Sequence, residues 1–322
     1  MTLALEVTNL RKTFGGGRTV LGRELPSVHA VRDVNLTVRK GETLGIVGES
    51  GCGKSTLARM LVGLLEPSEG EIVIEGTRLA EHAGKPAAFG RLIQYVFQDP
   101  ISSLNPRKTI REVLEAPLMH LLGMDAVARK ARISELFDAV NLRREFLSRY
   151  PHEFSGGQAQ RIGIARALAA SPRILILDEP VSALDVSVQA QVLNLLADLR
   201  AAMDLTYLFI SHDLAVIEAV SDSVAVLYFG RVVEVGKADQ IFNTPRHPYT
   251  SLLARSAPVV GRERGSTESM AAELPDPLRP PTGCAFAARC PNAIPECRDT
   301  MPAMQVFSDD HEAACFNPIQ HD

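Results

Sequence analysis

The stretch that decides the fold is Gly48–Ser55, "GESGCGKS". It matches the pattern G-x-x-x-x-G-K-[ST]. The apolar run "TLGIV" precedes it and reads as a buried strand, while "GKSTLARMLVGLL" after it places apolar residues at helical spacing. A strand, a glycine-rich turn and a helix in that order form a phosphate cradle. Glycines let successive backbone N–H groups converge on anionic oxygens, and the helix N-terminus adds partial positive charge. Gly48, Glu49, Ser50, Gly51, Cys52 and Gly53 supply the cradle, and Thr56 lies in the first helical turn. Lys54 is expected to reach the β- and γ-phosphates of ATP, and the Ser55 hydroxyl to bind Mg²⁺. The plainer alternative is a glycine-rich turn with a chance lysine. Cys52 reads either as a redox-sensitive thiol or as a small side chain that fits the turn, and the second is preferred.

The rest of the 322 residues suits a globular chain: 46% are hydrophobic, 22% are charged, and the net charge is −4. A slightly acidic chain gives no electrostatic case for nucleic acid. The start "MTLALEVTNLRKTF" lacks the basic and long apolar regions of a signal peptide, and no run reaches the roughly 18 apolar residues of a membrane span. A cytosolic setting is expected.

Outward from the loop, "LALEVTNL", "AVRDVNLTV" and "EIVIEG" read as strands, and Pro67 and Gly70 end the helix after the loop. "TIREVLEAPLMHLLG", "ARKARISELFDAV" and "QAQRIGIARALAA" are amphipathic helices. "RILILDEP" is a short buried strand, "VQAQVLNLLADLRAAM" a helix, "LTYLFISHD" a strand, and "VAVLYFGRVVEVG" a hairpin around Gly230. Strand and helix alternate on either side of a helical insert, which argues for a parallel, helix-covered sheet. After about residue 259, "GRERGSTESM" is polar and "ELPDPLRPPTG" is a proline-rich linker.

"ILILDEP" brings Asp178 and Glu179 to the end of a buried strand, where ligands sit in open α/β sheets. Asp178 is expected in the Mg²⁺ shell, and Glu179 is expected to polarise the attacking water. An acidic pair after an apolar run is weak evidence alone, since a surface turn or helix cap would look the same. With the phosphate loop upstream it becomes strong.

"FSGGQAQR" (Phe154–Arg161) resembles the signature motif of ABC-transporter ATPases, with Phe154 in place of the usual leucine. Ser155, Gly156, Gly157 and Gln158 then form a second anion-binding helix start, which the resemblance assigns to the nucleotide held by another protomer. A simple serine cap is satisfied at the same time. Phe14 resembles the aromatic that stacks on adenine, although the insert "GGGRTVLGRELPS" follows it directly. Gln98 in "YVFQDP" resembles the glutamine that contacts the metal and the membrane subunits. Ser182–Asp185, "SALD", resembles the loop ending in Asp185, and His212 in "FISHD" resembles the switch histidine near the γ-phosphate. The resemblance covers residues 3–255.

"FQDPISSLNPR", "RYPHEFSGGQ", "DEPVSALDVSVQAQVLNLL" and "TPRHPYTSLLARSAP" are similar to the ATPases of dipeptide and oligopeptide importers, within them to the F-type subunit. This implies an α/β fold: a RecA-like ATPase core with an antiparallel β subdomain, a helical subdomain at about 100–170 and a short cysteine-rich extension. The implied domains are 1–258, the nucleotide-binding part, and 259–322. The implied function is ATP hydrolysis driving peptide import through a head-to-tail ATPase dimer. Implied partners are a D-type ATPase subunit, two transmembrane permease subunits and a periplasmic or extracellular peptide-binding protein, with the chain peripheral at the cytoplasmic face of the inner membrane. Catalysis would fall to Glu179, His212 and Lys54. The alternatives are a soluble ABC ATPase outside transport and an importer of another substrate such as nickel or glutathione.

Four of the five cysteines, Cys284, Cys290, Cys297 and Cys315, lie in the tail. Reducing conditions make a disulfide framework a poor reading and a metal site a better one. The spacing Cys-x5-Cys-x6-Cys-x17-Cys lacks the short pairs usual for zinc. The peptide-importer resemblance implies a [4Fe-4S] cluster, with zinc the second choice and free thiols the third. His311 reads as an exposed loop histidine rather than a ligand.

Overall fold

The computed structural model describes residues 2–17, 25–82, 84–256 and 274–321. Most of the insert after Phe14, and the polar stretch 261–270, lie outside the described residues. The strands are β1 (Leu3–Gly15), β2 (Ser27–Arg39), β3 (Thr43–Val47), β4 (Glu69–Ile74), β5 (Thr77–Arg78), β6 (Ile93–Val96), β7 (Ile174–Asp178), β8 (Thr206–Ile210), β9 (Ser223–Tyr228), β10 (Arg231–Lys237), β11 (Gln305–Ser308) and β12 (His311–Ala313). The chain forms two compact units: residues 1–5, 38–43 and 73–210 make the first, and 6–37, 44–72 and 211–322 the second.

In the first unit, β6, β7 and β8 run parallel, with Ile174 opposite both Ile93 and Thr206. Every residue of β7 and of β8 is buried, as continuous apolar runs in a parallel sheet require. The expected helical part is present as helices Ile110–His120, Ala126–Ala139 and Gly156–Ala169. Thr109 and Glu112 cap the first of these reciprocally, and Asp125 caps the second. The long helix Val186–Met203 follows β7.

The second unit holds the phosphate-loop strand. β3 pairs in parallel with β9, Leu44 opposite Ser223 and Val47 opposite Val226. The hairpin expected around Gly230 joins β9 to β10 antiparallel. Its turn residues Phe229 and Gly230 both have positive φ, 45° and 79°, the twist that two-residue hairpins prefer. β10 then pairs antiparallel with β12, and β12 with β11. The tail therefore adds two strands that the sequence did not announce.

A buried carboxylate pins this edge. Glu234 on β10 is fully buried and accepts from the backbone N–H groups of Arg246 (2.7 Å) and His247 (2.8 Å). His311 Nε2 lies 2.8 Å from the same carboxylate. His311 is thus a buried strand residue, 2% exposed, and not the exposed loop histidine expected. A buried carboxylate survives because its lone pairs are filled. Among the described residues no helix is long and apolar enough to cross a membrane.

Candidate nucleotide-binding site

The loop Gly48–Ser55 joins β3 to the helix Lys54–Leu61. Gly48 is forced by close approach: a Cβ there would lie 2.1 Å from the Leu227 carbonyl oxygen and 2.7 Å from Cys52 Sγ. Gly53 is forced by conformation, with φ 106°, and a Cβ would meet the Ala30 carbonyl oxygen at 2.3 Å. Gly53 is the helix N-cap and offers no side-chain acceptor, and the first turn holds no acid. The first N–H groups of a helix have no intrahelical partner. Here the N-cap residue has no side chain to accept from them, which suits an anion.

Lys54 is buried, 7% exposed, and its Nζ donates to the carbonyl oxygens of Gly48 (2.6 Å) and Glu49 (3.0 Å). The ammonium is held over its own loop by two carbonyls, which are weaker partners than phosphate. Cys52 is 1% exposed, and burial raises its thiol pKa despite the nearby Lys54 ammonium. The structure supports the small buried side chain over a reactive thiolate. Ser55 and Thr56 are partly buried, Ser50 and Gly51 exposed.

Glu49 is tied at three points. Its N–H donates to Tyr249 Oη (2.9 Å), its carbonyl accepts from Lys54, and its carboxylate pairs with both terminal nitrogens of Arg289, each at 2.9 Å. Neither Tyr249 nor Arg289 was signalled by the sequence. Phe14 is the penultimate residue of β1, is 42% exposed, and has the Lys12 ammonium 5.4 Å from its ring centre. His212 is exposed, just before the helix Leu214–Val220 that Asp213 caps.

In the first unit, Asp178 ends β7 at 3% exposure and accepts from Tyr95 Oη at 2.5 Å. Tyr95 is a further residue that sequence reading missed, because the four-residue strand β6 gave too short a pattern. Glu179 follows in the left-handed region, φ 51°, at 8% exposure. Its N–H donates to the Ile210 carbonyl (2.9 Å), and its own carbonyl accepts from the Ser182 N–H (3.3 Å) and hydroxyl (3.1 Å). A non-glycine residue held in this region costs on the order of 1 kcal/mol, and such residues cluster at functional sites. Gln98 is exposed just beyond β6.

Ser155 is the N-cap of helix Gly156–Ala169: its hydroxyl accepts from the Gln158 N–H at 3.4 Å, and Gln158 Oε1 accepts from the Ser155 N–H at 3.2 Å. A Cβ on Gly157 would lie 2.4 Å from Val188 Cγ1, and one on Gly156 3.3 Å from Leu184 Cδ2. Both glycines allow close packing against the segment that carries Asp185. Phe154 is buried where the family places leucine, edge-on to Phe146. Ser155, Gly156, Asp185 and Val186 are exposed, Val186 at 83%.

The four tail cysteines share one neighbourhood. The Cys284 N–H donates to the Cys297 carbonyl at 2.8 Å. Burial, then the nearby thiols, push Cys315 up to about 11, and burial raises Cys284 and Cys290 as well. Among the described residues, however, no three His, Cys, Asp or Glu side chains converge where a metal ion could sit. This arrangement does not support the expected [4Fe-4S] or zinc ligand shell. Burial favours the protonated form of Cys284, Cys290 and Cys315, a cost that a bound cation would offset.

Residues 31–182 match the ABC transporter family, and residues 233–297 match the family described as oligopeptide/dipeptide transporter, C-terminal region. The chain is 46% identical over 318 residues to the oligopeptide transport ATP-binding protein AppF of Bacillus subtilis (strain 168), covering 97% of this chain and 96% of that protein. It is 47% identical over 295 residues to the dipeptide transport ATP-binding protein DppF of Haemophilus influenzae (strain ATCC 51907 / DSM 11121 / KW20 / Rd), covering 90% and 89%. Among solved structures it is similar to a dimeric ATP-binding cassette in a post-hydrolysis state bound to ADP and Pi, with a TM-score of 0.65, 30% identity, and coverage of 73% of this chain and 98% of that one.

Proposed function

The chain belongs to the ABC transporter ATP-binding proteins, in the group of oligopeptide and dipeptide transport, and from that premise we propose that it hydrolyses ATP to drive peptide import. One observation carries the reading. The loop Gly48–Ser55 opens a helix with no side-chain cap, in a chain that matches peptide-transport ATPases along nearly its whole length.

The residues take the following roles. Loop N–H groups other than those of Glu49 and Cys52, which are bonded within the protein, hold phosphate oxygens with the helix start, and Lys54 exchanges its two carbonyls for the β- and γ-phosphates. Ser55 and Asp178 each offer a hard oxygen, the donor chemistry Mg²⁺ takes; when bound, the ion would neutralise charge on the transferring phosphate. Glu179, fixed in its left-handed conformation, orients the attacking water, His212 lies near the γ-phosphate, and Gln98 reports to the membrane subunits. Phe14 stacks on adenine. The exposure of Ser155, Gly156 and Asp185 supports a head-to-tail arrangement, in which they meet the nucleotide of a second ATPase subunit.

That second subunit is a D-type partner in this reading, and two transmembrane permeases and a peptide-binding protein complete the importer. The chain sits peripherally at the inner membrane face, with 1–258 as the nucleotide-binding domain and 259–322 as the extension. Glu179→Gln in the assembled transporter should lower ATP turnover at this half-site by about 100-fold or more while ATP still binds. Unchanged hydrolysis and uptake overturn the assignment.

The tail supports a narrower proposal. Its four neighbouring thiols take up a [4Fe-4S] cluster, or zinc in its place, as a structural staple for a segment with little core of its own. Iron and acid-labile sulfide near four each per chain, measured on protein purified without oxygen, are expected; zinc alone would select the second metal, and neither would leave free thiols.

A further inference from the structure

The phosphate loop carries a carboxylate, Glu49, at a position built to receive an anion. Its charge is answered from 240 residues away in sequence, inside the cysteine-rich tail. We propose that Arg289 is a positioning residue for ATP binding: by holding Glu49 it keeps that carboxylate away from Lys54 and makes nucleotide affinity depend on the folded tail. The inference rests on the ATP reading above and names a residue that the motifs do not contain.

The geometry is that of a matched fork. Arg289 Nη1 and Nη2 each bond one Glu49 carboxylate oxygen at 2.9 Å. Arg289 is 3% exposed and Glu49 20%, so water screens the pair little. Such paired bonds fix direction as well as charge. Nη1 also donates to Tyr228 Oη at 3.3 Å, and the guanidinium lies 6.0 Å from the Tyr228 ring centre and 5.7 Å from that of Phe286. Phe286 packs edge-on to Tyr228 at 5.4 Å and tilted against Tyr249 at 5.4 Å. Tyr249 in turn accepts the Glu49 N–H. Arg289 lies in the turn between Cys284 and Cys290, where its N–H donates to the Phe286 carbonyl at 2.9 Å. The fold of the cysteine segment therefore sets where the guanidinium stands.

A buried ion pair seldom adds net stability over well-packed apolar side chains. Its effect on the loop is the more direct account. Lys54 Nζ already sits 3.0 Å from the Glu49 carbonyl. Without Arg289, the Glu49 carboxylate is the nearest anion in sequence to that ammonium, and it competes with the incoming phosphate.

Equilibrium titration of the purified full-length chain with MgATP tests this. Arg289→Gln keeps the side chain's reach and removes its charge; it should weaken ATP binding about tenfold. The double variant Glu49→Gln, Arg289→Gln removes the stranded carboxylate and should bind ATP at least about threefold more tightly than Arg289→Gln alone. A residue that merely packs the tail would not be rescued in this way. An unchanged affinity in Arg289→Gln, or a double variant as weak as the single, overturns the inference. If Arg289→Gln does not fold, Arg289→Lys takes its place, since it loses the paired fork: weaker ATP binding that Glu49→Gln partly restores supports the clamp, and binding equal to the wild type overturns it. Lys54→Ala in the same titration reports on the ATP reading separately. Retained ATP binding in that variant sinks the reading itself, whatever Arg289 does.

Discussion

Two helix starts in this molecule open on glycine, and they treat their orphan N–H groups in opposite ways. At Lys54–Leu61 the N-cap is Gly53, left-handed at φ 106°, without a side-chain acceptor. At Gly156–Ala169 the N-cap is Ser155, extended at φ −67°, with a reciprocal cap from Gln158. The first has no side chain at its N-cap to accept from them; in the second the Ser155 hydroxyl accepts from the Gln158 N–H. The glycines differ too. Gly53 is set by backbone conformation and a backbone neighbour, Gly157 by the Val188 side chain. Both starts are glycine-rich, and the cap decides whether an anion is met directly or only after a side chain lets go.

The largest expected effect comes from placing alanine at each position in turn. At Gly53 the new Cβ meets the Ala30 carbonyl oxygen at 2.3 Å in a conformation only glycine adopts readily. The loss should be about 3 kcal/mol or more in denaturant unfolding, with ATP binding lost, and no neighbouring substitution should restore it. Gly157→Ala meets only Val188 Cγ1, at 2.4 Å. It should cost about 2 kcal/mol, and adding Val188→Ala should recover most of that. Rescue at Gly53 by a side-chain change, or its absence at Gly157, would erase the distinction.

The same contrast shows what the sequence carried. The loop, the strand "TLGIV", the helices around the signature and the hairpin at Gly230 rest on local pattern, so spacing, glycine and apolar runs announced them. β11 and β12 have only four and three residues. They exist because β10 offers an edge and Glu234 anchors His311. No local periodicity marks such strands, and His311 was misread for that reason. The left-handed backbone at Glu179 and the Tyr95 bond to Asp178 are products of packing between parallel strands. Arg289 and Tyr249 reach the loop across 240 and 200 residues, and a pairing of that range leaves no trace in composition or spacing. The tail cysteines were legible as a group, yet their convergence on a metal was not, because spacing counts residues and not distances between sulfurs.

The smallest effect tests the second helix start most directly. The Ser155 hydroxyl accepts from the Gln158 N–H at 3.4 Å, near the outer limit of a hydrogen bond. Exchanging that contact for a partner's phosphate oxygen sacrifices little, so the cap is suited to release its serine. Ser155→Ala should therefore lower stability by no more than about 1 kcal/mol. In the assembled transporter it should lower ATP turnover by a factor larger than that stability change predicts, because the lost group would act on nucleotide held by the other subunit. Thermal unfolding of the isolated chain gives the first quantity and steady-state hydrolysis by the complex the second. A drop in stability with hydrolysis intact would make Ser155 an ordinary helix cap. The two glycine-bearing helix starts would then differ in kind, with only the loop at Gly53 bearing on the nucleotide.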